Sequence, residues 1–305
     1  MANKIINNIK KVIFGKDDII EKLVIALLAG GHVLLEDIPG IGKTMLAKAL
    51  SLSINGDSSR IQFTSDLLPS DIIGSAIFNP VTGNFEIKKG PIFSNIILAD
   101  EINRSTPRTQ SALLECMEEF QVTIEGTTFK LESPFMVIAT SNPGDYEGCY
   151  PLVESQMDRF CLKLNIGYPD LKSQIKILSD TMIEHPINII KSVTDLNEIN
   201  SMKKAVKNIH VSDKILEYVA KLLEGTRVHP SIHLGGSPRA GISIISLARS
   251  KAYINGRDFV QPDDIQNLFL PSLIHRIIMK NSIITGNDTA ESVLTEILES
   301  INCIN

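Results

Sequence analysis

Lys43 and Thr44 close the stretch His-Val-Leu-Leu-Glu-Asp-Ile-Pro-Gly-Ile-Gly-Lys-Thr, residues 32–44. In it an apolar run, Val33 to Leu35, breaks into a loop carrying Pro39, Gly40 and Gly42 before a helical pattern resumes. A strand, a glycine loop and a helix in this order make a phosphate cradle. Backbone N–H groups and the positive end of the helix face phosphate oxygens, a lysine reaches the β- and γ-phosphates, and a hydroxyl binds Mg²⁺. The candidate nucleotide contacts are therefore Asp37, Ile38, Pro39, Gly40, Ile41, Gly42, Lys43, Thr44 and Met45. The chain departs from the pattern G-x-x-x-x-G-K-[ST] at its first position, where Asp37 replaces glycine; that position lies at the loop's entrance, away from the phosphates.

A second apolar run, Asn95 to Ala99, ends in Asp100-Glu101. Two adjacent carboxylates at the end of a buried strand are costly unless something positive meets them. With a phosphate loop upstream that partner is Mg²⁺: Asp100 would orient the metal's water shell, and Glu101 would polarise the water that attacks the γ-phosphate. A third run, Phe135 to Ala139, ends in Thr140-Ser141-Asn142 and delivers Asn142 to the same sheet edge as Lys43 and Asp100, because open α/β sheets bind ligands beyond the carboxyl ends of their strands. Val12-Ile13-Phe14-Gly15 is a short apolar segment closed by a glycine; Gly15 could border an adenine pocket, although such a segment alone is ordinary core packing.

These residues need a parallel sheet to hold them. Arg60 to Phe63 and Cys161 to Leu164 supply two more strands, and helices are expected at Ile19 to Ala29, from Lys43 to about Leu52, and at Pro107 to Phe120. Between residues 64 and 93, prolines and glycines break any single helix, and the segments flanking Pro80-Val81-Thr82-Gly83 read as a hairpin near 75–88; a second hairpin is expected near 121–132. After about residue 168 strand-like runs cease and helical periodicity takes over, with helices expected at 170–182, 213–223, 238–253, 262–270 and 288–301. The expected organisation is an α/β core over residues 1–168 and a helical domain over 169–305.

The 305 residues carry 43% hydrophobic and 21% charged side chains and a formal charge of −5, an ordinary globular composition without a global nucleic-acid footprint. Cys116, Cys149, Cys161 and Cys303 show no C-x-x-C spacing and read as reduced thiols. The first residues lack a signal peptide's apolar centre, and no segment is apolar for long enough to span a bilayer, so the expected location is the cytoplasm, without membrane insertion.

Five apolar strands with nucleotide chemistry at their ends, followed by helices, resemble an AAA+ ATPase. Gly31 to Glu36, Pro39 to Thr44, Ala99 to Arg104, Gln110 to Glu115, Glu147 to Leu152 and Gly236 to Ala240 resemble the MoxR family in wording, order and spacing. The resemblance implies a P-loop core with inserted hairpins and an all-α lid, with ATP and Mg²⁺ as ligands. It implies that Lys43 and Thr44 are Walker A contacts and that Thr44 and Asp100 hold the metal. Glu101 completes Walker B, Asn142 is sensor 1, Arg159 is an arginine finger reaching a neighbouring subunit, and Arg239 is sensor 2, acting in its own subunit or across the interface. It further implies a homo-oligomer, a hexameric ring, working chaperone-like on a protein client, with a von Willebrand factor A domain protein as a candidate partner. A nucleic-acid motor and a nucleotide-gated scaffold with little turnover are the other readings; the acidic balance weighs against the first and the Asp100-Glu101 pair against the second.

Overall fold

A computed structural model describes residues 1–36, 40–81, 83–142, 149–183, 186–280 and 289–302. The chain forms two compact units: Met1–Val24, His32–Leu152 and Leu164–Asn200 make the first, and Ile25–Gly31, Val153–Lys163 and Ser201–Asn305 the second.

The chain opens with α1 (Ala2–Ile9) and α2 (Asp17–Ala29), then enters β1 (His32–Glu36), α3 (Lys43–Ser53) and β2 (Ser58–Gln62). A short α4 (Pro69–Ile73) leads into the hairpin β3 (Gly74–Asn79) and β4 (Asn84–Lys89), followed by β5 (Ile96–Asp100), α5 (Pro107–Glu119) and a second hairpin, β6 (Gln121–Ile124) and β7 (Thr127–Lys130). Next come β8 (Met136–Ser141), α6 (Glu154–Met157), β9 (Phe160–Leu164), α7 (Leu171–Ile183) and α8 (Leu196–Lys207). The chain ends with α9 (Asp213–Val228), β10 (Ile232–Leu234), α10 (Pro238–Ile254), α11 (Pro262–Leu273), β11 (Ile278–Met279) and α12 (Ala290–Ser300).

The sheet runs β2-β5-β8-β1-β9, and β2 with β5, β5 with β8 and β8 with β1 pair in parallel. β1, β5 and β8 are buried along almost their whole length, as continuous apolar runs covered on both faces must be. β2 lies at the sheet's edge and buries only Ile61 fully, which is why its sequence carries Ser58, Ser59, Arg60 and Gln62. The hairpins stand apart as two-stranded ribbons, β3 on β4 and β6 on β7. Gly74 and Gly90 let the first ribbon close at its base: a Cβ on Gly74 would sit 2.2 Å from the Lys88 carbonyl oxygen. His32, buried at the start of β1, is satisfied by the core, accepting from the Val137 N–H at Nδ1 (2.9 Å) and donating from Nε2 to the Met117 carbonyl (3.0 Å).

The second unit packs α9, α10, α11 and α12 around Tyr218, Leu222, Ile244, Phe269 and Leu294. Strands do not cease after residue 168 as the sequence reading expects, since β10 and β11 pair antiparallel; three and two residues are too short to leave a period-two signal. Four helices escaped the sequence reading. α4 and α6, of five and four residues, are too short for a helical period to register. α1 hides Ile5, Ile6 and Ile9 among asparagines and lysines, and α8 buries Ile199, Met202 and Val206 along one face of a mostly polar segment. Among the described residues no helix is long and apolar enough to cross a membrane.

Candidate active site

The parallel registers set three chemical groups on one edge of the sheet. β1 and β8 pair as Glu36↔Ser141, β5 and β8 as Ala99↔Ala139, so the loop after β1, the Asp100-Glu101 pair and Asn142 all leave at carboxyl ends of adjacent strands. Asp37, Ile38 and Pro39 lie outside the described residues. Gly40 and Gly42 have φ of +86° and +92°, a left-handed conformation that favours glycine, and a Cβ on either would meet nothing within 4 Å. The loop therefore lines open space. Gly42 caps α3, whose first residue, Lys43, is buried and whose second, Thr44, is exposed. An eleven-residue helix starting at an open glycine loop offers unsatisfied N–H groups to an anion.

Asp100 is met by a positive side chain of its own chain. Arg60 donates to Asp100 Oδ2 from Nη2 (2.7 Å) and Nε (3.2 Å), and the buried Thr140 hydroxyl donates to Oδ1 at 2.6 Å. The same hydroxyl oxygen accepts the Glu101 N–H at 2.9 Å. Glu101 is held in the left-handed region (φ 58°, ψ 49°), which a non-glycine residue adopts at a cost, with its carboxylate facing Arg104 Nε (3.2 Å) and Gln62 Nε2 (3.2 Å). Thr140 thus locks both carboxylate-bearing residues to the neighbouring strand. Replacing it with valine leaves a carboxylate oxygen and an N–H short of one partner each. Thr140→Val should lower stability by about 1–3 kcal/mol in denaturant melts and reduce any ATP turnover more than nucleotide affinity.

Beside the loop lies a cavity of about 420 Å³ within the first unit, lined by Val12, Ile13, Phe14, Ile41, Met45 and Leu178 among others, with Gly40 and Gly42 at its wall. This is the size and apolar character of a small-ligand pocket. Lys176 Nζ covers the Phe14 ring at 4.1 Å from its centroid. Gly15 does not line the cavity; it turns the chain beside it at φ +68°, pressed so close to Ser173 that a Cβ would fall 2.4 Å from its hydroxyl.

In the second unit, Arg159 follows α6 and Arg239 is the second residue of α10. The segments bearing them are joined, because the Ser237 hydroxyl, which caps α10, also donates to the Asp158 carboxylate (3.2 Å). Arg239 is exposed and Arg159 half-buried.

Residues 32–162 match a model of the ATPase family associated with various cellular activities (AAA), and residues 224–297 match an AAA lid domain. The uncharacterised protein YeaC of Bacillus subtilis is 46% identical over 99% of this chain and 94% of its own. The chaperone MoxR1 of Mycobacterium tuberculosis is 37% identical over 96% of this chain and 80% of its own. The crystal structure of a candidate ATPase from Cytophaga hutchinsonii is 38% identical, covers 100% of this chain and 96% of that one, and superposes with a TM-score of 0.93. The chain belongs to the MoxR family of AAA+ ATPases. As in the fold expected of a MoxR-family protein, a five-stranded α/β core with two inserted hairpins precedes a lid that, among the described residues, is helical apart from β10 and β11.

Two residues that hold the carboxylate pair, Thr140 and Arg60, and one in the second unit, Arg276, were given no such role in the sequence reading. Thr140 did carry a signal, a hydroxyl ending an otherwise apolar strand. Arg276 and its neighbour His275, just beyond α11, are both buried. Burial pushes the His275 ring down to about 3, helped by the Arg276 charge and opposed by its bond to the Phe160 carbonyl, so it stays neutral. Below pH 6.5 the unfolded chain gains a proton on this ring that the folded chain refuses, so stability falls as pH drops from 6.5 toward 3. The loss should reach about 2 kcal/mol at pH 5. Melting temperatures should therefore fall more steeply between pH 7 and pH 5 in the wild type than in His275→Gln. Burial also pushes the Cys116 and Cys161 thiols up to about 12, which keeps both protonated and unreactive.

Proposed function

We propose that this chain binds ATP with Mg²⁺ and hydrolyses it to drive conformational work on a protein client, as subunits of a cytoplasmic hexameric ring. The observation that carries the reading is the meeting, on one sheet edge, of an open glycine loop with Lys43, the Thr140-locked carboxylate pair, and an apolar cavity beside the loop. These residues fit the ligand: the loop lines open space, and a threonine hydroxyl with a carboxylate is the oxygen donor set that a hard divalent ion takes. Thr44 and Asp100 would hold the metal, which when bound neutralises charge on the β- and γ-phosphates.

The chain's own groups divide the rest of the work. Lys43 offers its ammonium to the phosphates, while Gly40 and Gly42 bring backbone N–H groups close to them, and the cavity by Phe14, Ile41 and Met45 takes the base. Glu101 polarises the attacking water, and Asn142 helps hold that water in place. Arg159 meets charge developing on the phosphoryl group of a neighbouring subunit. Arg239, joined to Arg159 through Ser237 and Asp158, is read as working with it. Residues 1–168 would form the catalytic core and residues 169–305 the lid.

The protein-client reading rests on the β3–β4 hairpin. Phe78 and Phe85 face each other across it with ring centroids 5.5 Å apart, yet remain 52% and 74% exposed, and Val81 at the turn is 91% exposed. Such apolar surface suits a protein groove, whereas a phosphate backbone requires several cations, and this hairpin carries only Lys88 and Lys89 against Glu86. A client with a von Willebrand factor A domain is the candidate. Phe85→Ala should leave basal ATPase activity intact and weaken client binding in pull-downs with such a partner. DNA should not stimulate hydrolysis; robust, salt-sensitive stimulation lost on replacing Lys88 and Lys89 would favour the nucleic-acid motor instead.

A further inference from the structure

We propose that His275 and Arg276 form a clamp that sets the posture of Arg159, making them positioning residues for hydrolysis. The inference rests on reading Arg159 as a group that acts on a neighbouring subunit's nucleotide.

Arg159 sits between two backbone carbonyls, and consecutive side chains just beyond α11 take both. Arg276 Nη2 donates to the Asp158 carbonyl at 3.0 Å, and His275 Nε2 donates to the Phe160 carbonyl at 2.8 Å. Arg276 goes further, pairing its Nε with Asp158 Oδ1 at 2.9 Å while Nη1 and Nη2 reach the Ser272 carbonyl (3.2 Å) and the Ser243 hydroxyl (3.1 Å). Ser237 grips the same carboxylate from the start of α10. The main chain on either side of Arg159 is therefore fastened from 115 and 118 residues away.

Stability alone accounts poorly for this arrangement. The Arg276 side chain is only 2% exposed, and a buried ion pair commonly does no better than well-packed apolar side chains of the same volume. What an arginine adds is a planar fork that donates to the Asp158 and Ser272 carbonyls and the Ser243 hydroxyl at once while its charge lies against the Asp158 carboxylate, and so fixes their relative placement. Fixed placement is what a long side chain acting on a reacting group requires, since a displacement of about 1 Å can cost on the order of 100-fold in rate. The clamp holds main chain on both sides of Arg159, so it sets the origin and direction from which that side chain extends.

Arg276→Lys keeps the charge and removes the fork. It should lower kcat by at least ~10-fold and leave the affinity for a fluorescent ATP analogue within about twofold of wild type. Subunit mixing separates a defect in the presented arginine from one in the subunit's own nucleotide site. Arg276→Lys subunits mixed with Lys43→Ala subunits should regain activity, because a sound arginine then meets a sound phosphate loop; mixed with Arg159→Ala subunits they should not. Asp158→Asn, which keeps the gripped carbonyl, should give the same pattern with a smaller loss and covers the case in which Arg276→Lys fails to fold. Wild-type kcat in both variants, or activity regained with Arg159→Ala but not with Lys43→Ala, would overturn the clamp. Wild-type turnover by Arg159→Ala itself would instead remove the reading beneath it.

Discussion

Glu101→Gln should keep nucleotide bound and lose turnover. The substitution preserves size and the strained left-handed backbone, whose N–H still reaches the Thr140 hydroxyl, but removes the carboxylate proposed to polarise water. Loss of a positioned general base lowers rates by roughly 100- to 10,000-fold. Binding of a fluorescent ATP analogue should change little, because Glu101 follows β5's end, whereas the proposed phosphate contacts are on the loop after β1. Lys43→Ala should do the reverse and weaken binding itself. A Glu101→Gln protein that hydrolyses ATP at the wild-type rate would take Glu101 out of the mechanism and leave the Asp100–Glu101–Thr140 cluster a structural device.

Arg159→Ala should abolish hydrolysis and leave ATP affinity nearly intact. An arginine supplied across a subunit interface stabilises charge that exists only in the transition state, an effect worth ~10³ or more in rate. A head-to-tail interface of this kind closes into a ring. Mixing Arg159→Ala with Lys43→Ala subunits should therefore return part of the lost activity. Absence of any rescue, from variants that each assemble as the wild type does by light scattering, would place Arg159 outside the catalytic machinery.

Much of the core was legible because its signals are local. β1, β5 and β8 are uninterrupted apolar runs, buried on both sides, and each stops at a polar residue where the strand leaves the sheet. Both hairpins announced themselves through turn residues between short strand-like segments. What escaped was either too short or too polar for periodicity to register, as with β10, β11, α1 and α8. The same division holds in the candidate site. The positions of Lys43, Asp100 and Asn142 at one sheet edge follow from strand ends alone. The bond from Thr140 to Asp100 depends on β5 lying beside β8 in register, and Arg276 meets Asp158 across 118 residues of chain. No spacing rule joins such partners. The cavity is equally non-local, assembled from Val12 to Phe14, from the glycine loop, and from residues 166–178.

The central claim is a nucleotide site that turns over ATP and is completed by a second subunit. Steady-state phosphate release by the wild-type protein, measured with ATP and Mg²⁺ across a series of protein concentrations, tests it most directly. The account predicts release well above that of Lys43→Ala, with a rate per subunit that rises with concentration to a plateau as rings form. Release no greater than that of Lys43→Ala at every concentration would contradict the ATPase itself, and a constant rate per subunit from a protein that stays monomeric with ATP would contradict the shared site.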